Sequence, residues 1–109
     1  MEEVITSCTC PNCLTRLHFI QGAVNNIKQL NKITVVSGNE EFGPGYIYAC
    51  FRCGHAMLLS DDFLPTLLPE YEKVFDKIPS PHQYWVMGLV RVAREMNDNL
   101  ALKEYVAKN

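Results

Sequence analysis

The sequence predicts an α+β fold: three or four short antiparallel strands clipped together by four cysteines, then one short and one long α-helix. Three observations carry this. Two Cys-x-x-Cys pairs, Cys10/Cys13 and Cys50/Cys53, lie far apart in the chain. Short β-branched and aromatic runs flank them, and beyond position 80 the apolar residues recur at helical spacing.

The cysteines come first. A two-residue gap lets the backbone make a tight knuckle in which both sulfurs face one centre, and two knuckles supply the four thiolates of a tetrahedral shell. Pro11 fixes φ in the first knuckle, and Gly54 follows the second with a permissive backbone. The set Cys10, Cys13, Cys50 and Cys53 is therefore expected to hold one structural Zn²⁺ per chain. The same thiolates hold iron in electron carriers, but such carriers tend to be more compact and lack a long helical tail. With five cysteines, an odd number, a disulfide framework is disfavoured. Cys8 is the spare, because a one-residue gap to Cys10 makes a poorer knuckle. His18 and His55 lie near the knuckles but are not needed to close the shell.

The elements follow in order. "LHFI" (17–20) reads as a strand after the first knuckle, and "KITVVS" (32–37), bounded by Asn31 and Gly38, reads as another. Between them, 22–32 is ambiguous between a short helix and a loop; Val24, Ile27 and Leu30 would share one helical face. "NEEFGPG" (39–45) is expected to be a loop, since two glycines around a proline interrupt helix and strand alike. "YIYAC" (46–50) leads into the second knuckle and "AMLLS" (56–60) leaves it. Two knuckles feeding β-hairpins is the plan of a zinc ribbon, here assigned to residues 1–60.

Residues 61–109 are expected to form a helical extension packed on that ribbon. Asp61-Asp62 reads as a helix cap, and Pro69 suits the first turn of a short helix ending near Ile78, with Tyr71, Val74, Phe75 and Ile78 on its apolar side. "SPHQ" (80–83) has the form of a capping box with proline in the first helical position. Beyond it Trp85, Leu89, Val92, Met96 and Leu100 form a stripe expected to be buried. Run unbroken from 81 to 107, this helix would span about 40 Å. That is more apolar surface than a ribbon covers, so either "NDN" (97–99) breaks it or a second copy of the chain covers it as a homodimer.

The order "CPNC", "LHF", "CFRCG" and "PEYEKV" before a long helix resembles the amino-terminal zinc-ribbon part of an uncharacterised bacterial domain found in restriction-subunit-like and phage-defence-associated proteins. The resemblance covers roughly residues 10–60. It implies the same four cysteine ligands and no catalytic residue, and it suggests a phage or mobile-element protein acting on host machinery.

Composition bounds the function. The 109 residues are 48% hydrophobic and 20% charged, fitting one small folded unit. No apolar run has the length of a membrane span, and "MEEVITS" lacks the layout of a signal peptide, so a cytoplasmic protein is expected. No phosphate-binding glycine loop or oriented nucleophile is present, so no enzymatic activity is expected. The formal charge is −2, and four thiolates with one divalent ion take it to about −4. Net negative charge weakens any attraction to phosphate. A nucleic-acid reader would have to cluster Arg16, Lys28, Lys32 and Arg52 with Phe19, Phe42, Tyr46, Tyr48 or Phe51 for stacking. A regulator or adaptor docking on a protein partner is the stronger expectation. Phe51 and Arg52 at the second knuckle, with Arg16, are its contact residues, since aromatic and arginine side chains dominate interface hot spots.

Overall fold

The computed structural model describes the backbone of residues 6–108 and the side chains of residues 6–98. The fold is α+β, with two antiparallel sheets and a long C-terminal helix. Strands β1 (Thr6–Thr9) and β2 (Arg16–Phe19) form a hairpin of their own, paired Cys8 to Leu17. Helix α1 (Gln21–Lys28) follows and buries Val24 and Ile27, which settles the ambiguous segment as a helix.

The second sheet has the order β3-β4-β5-β6, formed by Ile33–Ser37, Glu40–Ala49, Ala56–Leu59 and Pro65–Leu67. Its centre is covered on both faces. Tyr48, Met57 and Leu59 point to one side and join Leu17, Phe19, Val24, Ile27 and Phe63 in a first core. Ile47, Ala49, Ala56 and Leu58 point to the other and join Val35, Leu68, Val74, Ile78, Val86 and Val90 in a second. This is why "AMLL" lacks the alternation of a half-exposed strand: all four residues are buried. The hairpin with α1 thus forms one outer layer, the four-stranded sheet the middle, and the remaining helices the other outer layer.

Four expectations are corrected. Residues 39–45 are not a loop throughout, because β4 runs through "FGPG". The register places Val35 opposite Phe42 but Ile33 opposite Gly45, so β4 carries one extra residue there, a bulge at Gly43-Pro44, whose peptide bond is cis. A proline lacking an N–H is tolerated where the ladder is already interrupted. The glycines allow close packing: a Cβ at Gly43 would lie 2.7 Å from the Ile33 carbonyl oxygen, and one at Gly45 2.9 Å from Leu58 Cβ. Second, Asp61-Asp62 caps no helix. The segment is a turn closed by Phe63 N–H to Ser60 O (2.9 Å) and Leu64 N–H to Ser60 Oγ (3.1 Å), and it leads into β6. Asp61 pairs instead with Lys32 at 2.6 Å.

The third correction is the face of the long helix. Helix α2 (Tyr71–Val74) and a 3-10 turn (Phe75–Lys77) precede α3, which runs Ser80–Lys108 without a break at 97–99. Its 29 residues extend about 43 Å. The core side is Val86, Val90 and Ala93 (0%, 5% and 1% exposed), whereas Val92 and Met96 are 46% and 37% exposed and Trp85 and Leu89 are half-buried. Two apolar stripes lie side by side on this helix, and small size decides between them. Ala93 and Val90 face Gly54, where a Cβ would already stand 3.4 Å from Ala93 Cβ. Leu100 lies outside the described side chains.

The start of α3 also departs from a capping box. The Gln83 side-chain amide donates backward, to Phe75 O at 2.9 Å and Ile78 O at 2.7 Å, and so ties off the 3-10 turn. His82 is buried and its Nε2 lies 2.6 Å from Leu30 O, which fixes the loop after α1 against α3.

These burial patterns make opposite forecasts for two valines on one helix. Val86→Ala should destabilise by about 2 kcal/mol, from lost transfer energy and the cavity left behind. Val92→Ala should change stability by no more than about 0.5 kcal/mol. Denaturant unfolding of the two variants measures both; equal losses would put the helix in the wrong phase.

Candidate metal centre

The two knuckles are built alike. In the first, Leu14 N–H donates to Cys10 O (2.8 Å) and Cys10 N–H to Thr15 O (2.9 Å). In the second, Gly54 N–H donates to Cys50 O (2.7 Å) and Cys50 N–H to His55 O (3.1 Å). Each loop therefore closes over its own cysteine pair and needs a left-handed residue after the second cysteine. Gly54 fills that place at φ 76° and Leu14 at φ 63°. Leucine is a poor fit there and is not needed for packing, being 75% exposed.

The knuckles face each other across the chain. The Sγ atoms of Cys10, Cys13, Cys50 and Cys53 all lie within 4.8 Å of one another. Cys10 to Cys53 is 3.8 Å and Cys13 to Cys50 is 3.7 Å. A tetrahedral thiolate shell with metal–sulfur bonds of about 2.3 Å has sulfur–sulfur edges of about 3.8 Å. The donor set thus has the dimensions of a metal site, with Cys10 and Cys50 buried and Cys13 and Cys53 half-buried. One knuckle closes the β1–β2 hairpin and the other joins β4 to β5, so a metal held there links the first outer layer to the central sheet.

The thiols differ in how readily they ionise. Burial pushes Cys50 up to about 12 despite the N–H groups of Cys53 and Arg52 that face its sulfur; Arg52 N is 3.4 Å away. Burial likewise raises Cys10, against N–H groups of Cys13 and Asn12. Burial pushes Cys13 up as well, but the Thr15 hydroxyl and N–H and the neighbouring thiols outweigh it and bring it to about 6. Such N–H and hydroxyl donors are what a thiolate ligand needs. Cys8 is buried in β1 opposite Leu17 and is not one of the four, and burial raises it too. His18 is exposed on β2, and His55 Nε2 lies 2.7 Å from Leu68 O, bracing the second knuckle.

The other singled-out residues do not gather into one surface. Phe51 is half-buried and packs against the first core, so it does not stand outward as a free anchor. Arg52 is exposed, and Arg16 is exposed and donates to Ser7 Oγ at 3.0 Å. Phe19 and Tyr48 are buried in the core and are not available for stacking. Lys28 and Lys32 do come together around the Tyr46 ring, at 6.0 and 5.7 Å from its centroid, with Lys32 also held by Asp61.

Sequence reasoning missed a groove of about 500 Å³ where α2 and the 3-10 turn meet α3. Tyr71, Phe75, Met87 and Val90 supply its apolar lining, and Arg91, Arg94, Glu95 and Asp98 stand around it. Arg94 pairs with Glu72 across it. The available signal was four apolar residues, Tyr71, Val74, Phe75 and Ile78, on a helical segment too short to bury them all; the structure buries Val74 and Ile78.

No protein-family model, curated protein or solved structure matches the chain. Among the described residues, no helix is long and apolar enough to cross a membrane.

Two outcomes test the centre. Cys10→Ser and Cys53→Ser should each lose bound metal in elemental analysis, while Cys8→Ser should keep it; metal loss from Cys8→Ser would contradict the ligand set. Acid should also release the metal. Cys10 and Cys50 hold protons at neutral pH when no metal is bound, so binding expels protons and affinity falls as pH falls. Competition against a chromogenic chelator at successively lower pH measures this, and an affinity independent of pH would contradict it.

Proposed function

We propose that the protein is a non-catalytic, zinc-stabilised module that works by docking on a protein partner. Four thiolates in a tetrahedral arrangement are the donor set structural zinc prefers. When bound there, the metal finds its shell closed by protein ligands, so its contribution is cohesion between the two knuckles.

The observation that carries the docking reading is the groove beside α3. Tyr, Phe, Met and Arg are the residue types enriched at the buried centres of interfaces, and all four occur in this one groove. Its charges are mixed: Arg91 and Arg94 stand among Glu72, Glu95 and Asp98, which suits a polar rim around an apolar contact. A phosphate backbone would call for one sign of charge. The lysines elsewhere do not supply it, since Lys32 is bound to Asp61 and the chain is net acidic. Arg16 and Arg52, both exposed, are outlying contacts in this reading.

Capture of a partner should therefore resist nuclease and change little with salt, because an apolar contact is not screened as phosphate contacts are. Met87→Asp and Arg91→Glu, both on the exposed side of α3, should abolish capture while leaving melting and metal content unchanged. Binding to labelled DNA or RNA that collapses as salt rises, with these variants unaffected, would overturn the reading.

A further inference from the structure

We infer that strand β3 is a homodimer interface: two copies of the chain join β3 to β3 in antiparallel register, making one continuous eight-stranded sheet. The inference is independent of the groove beside α3.

β3 is an edge strand of the four-stranded sheet, paired among the described residues only with β4. Ser37 and Glu40 close a two-residue turn, and in such a hairpin the closing pair exchanges both backbone hydrogen bonds. Bonding alternates along an antiparallel pair, so Ser37 and Val35 face β4 while Val36 and Thr34 turn their N–H and C=O groups to the open edge. Among the described residues, none from Ile33 to Ser37 makes a backbone hydrogen bond outside the β3–β4 pair.

Edges of this kind are normally blunted by charge, proline or shortness. The opposite edge follows that rule: β6 has three residues and begins with Pro65. β3 does not. Its five residues, "ITVVS", contain no charge, proline or glycine, and Val36 is 53% exposed. An unprotected, β-branched edge is a template for another strand.

A second copy of the same strand fits it. A two-fold axis at Val35 sets Thr34 opposite Val36 of the other copy, and Val36 opposite Thr34. Both members of each pair are outward-turned, so two pairs exchange four backbone hydrogen bonds. Sliding the register by one residue would set outward-turned groups against inward-turned ones, so the edge pairs only in registers of this parity. On the exposed face Val36 is then covered by Thr34, and on the other Val35 meets Val35. No like charges are opposed, because the strand has none. The half-buried Ile33, at the edge of the second core, gains cover from the same junction.

Sedimentation and light scattering should report twice the 12.4 kDa chain mass for the metal-loaded protein. Amide hydrogen exchange should show Thr34 and Val36 protected. Val36→Pro removes an outward N–H that β4 does not use, and it should halve the mass. Should that variant fold poorly, Thr34→Lys combined with Val36→Lys sets lysines opposite one another and should also give the monomer, with unchanged circular dichroism. A wild-type mass of one chain at every concentration would overturn the inference. So would a dimer that survives these variants, or one in which Thr34 and Val36 exchange as freely as loop amides.

Discussion

The rest of the structure depends on four sulfurs being brought to one point from two hairpins that, among the described residues, share no backbone hydrogen bond. β1–β2 forms a sheet by itself, and an isolated two-stranded hairpin is marginal in water. Two things hold it to the central sheet. One is the apolar packing of Leu17 and Phe19 against Tyr48, Met57 and Phe63. The other is the Cys10–Cys13 knuckle set against Cys50–Cys53. A metal at that point fixes both hairpin ends at once, and it brings α1 with them, because α1 follows β2 directly. In a chain of 109 residues, whose cores are small, such a link contributes much of what a larger protein obtains from burial.

The sequence was most legible where chemistry dictates spacing. The Cys-x-x-Cys pairs identify the ligand set because two intervening residues are what a knuckle needs, and the geometry repeats in both copies. Strands β2, β3 and β5, and the last four residues of β4, were legible from β-branched and apolar runs. β1 and β6 were not, because "TSCT" and "PTL" have little strand character of their own and are strands by virtue of their neighbours. The bulge at Gly43-Pro44 was hidden for the opposite reason: its residues signal a loop, yet they are there to let β4 pass close to Ile33 and Leu58. The long helix was evident, but its phase was not. Trp85, Leu89, Val92 and Met96 are as apolar a stripe as Val86, Val90 and Ala93, and the choice rests on Gly54, a residue distant in sequence that admits only a small neighbour.

That phase also shapes what the surface can do. Because α3 turns its small side to the second knuckle, Met87, Arg91 and Arg94 face the gap beside α2 and leave a groove there. The knuckle tip, which sequence alone favoured as a contact, is partly withdrawn into the core through Phe51. The groove borders the second knuckle, since Tyr71, Glu72, Val90 and Arg94 of its lining also line a pocket with Cys53 and His55.

A metal bound by the four cysteines would hold the β1–β2 layer to the sheet. Amide hydrogen exchange before and after metal removal by a chelator tests it most directly. Protection should be lost first across Cys8–Phe19 and around Cys50–His55, while the β4–β5 ladder at Ile47 and Leu58 retains much of its own. Unchanged protection of both knuckles in the metal-free protein would contradict it.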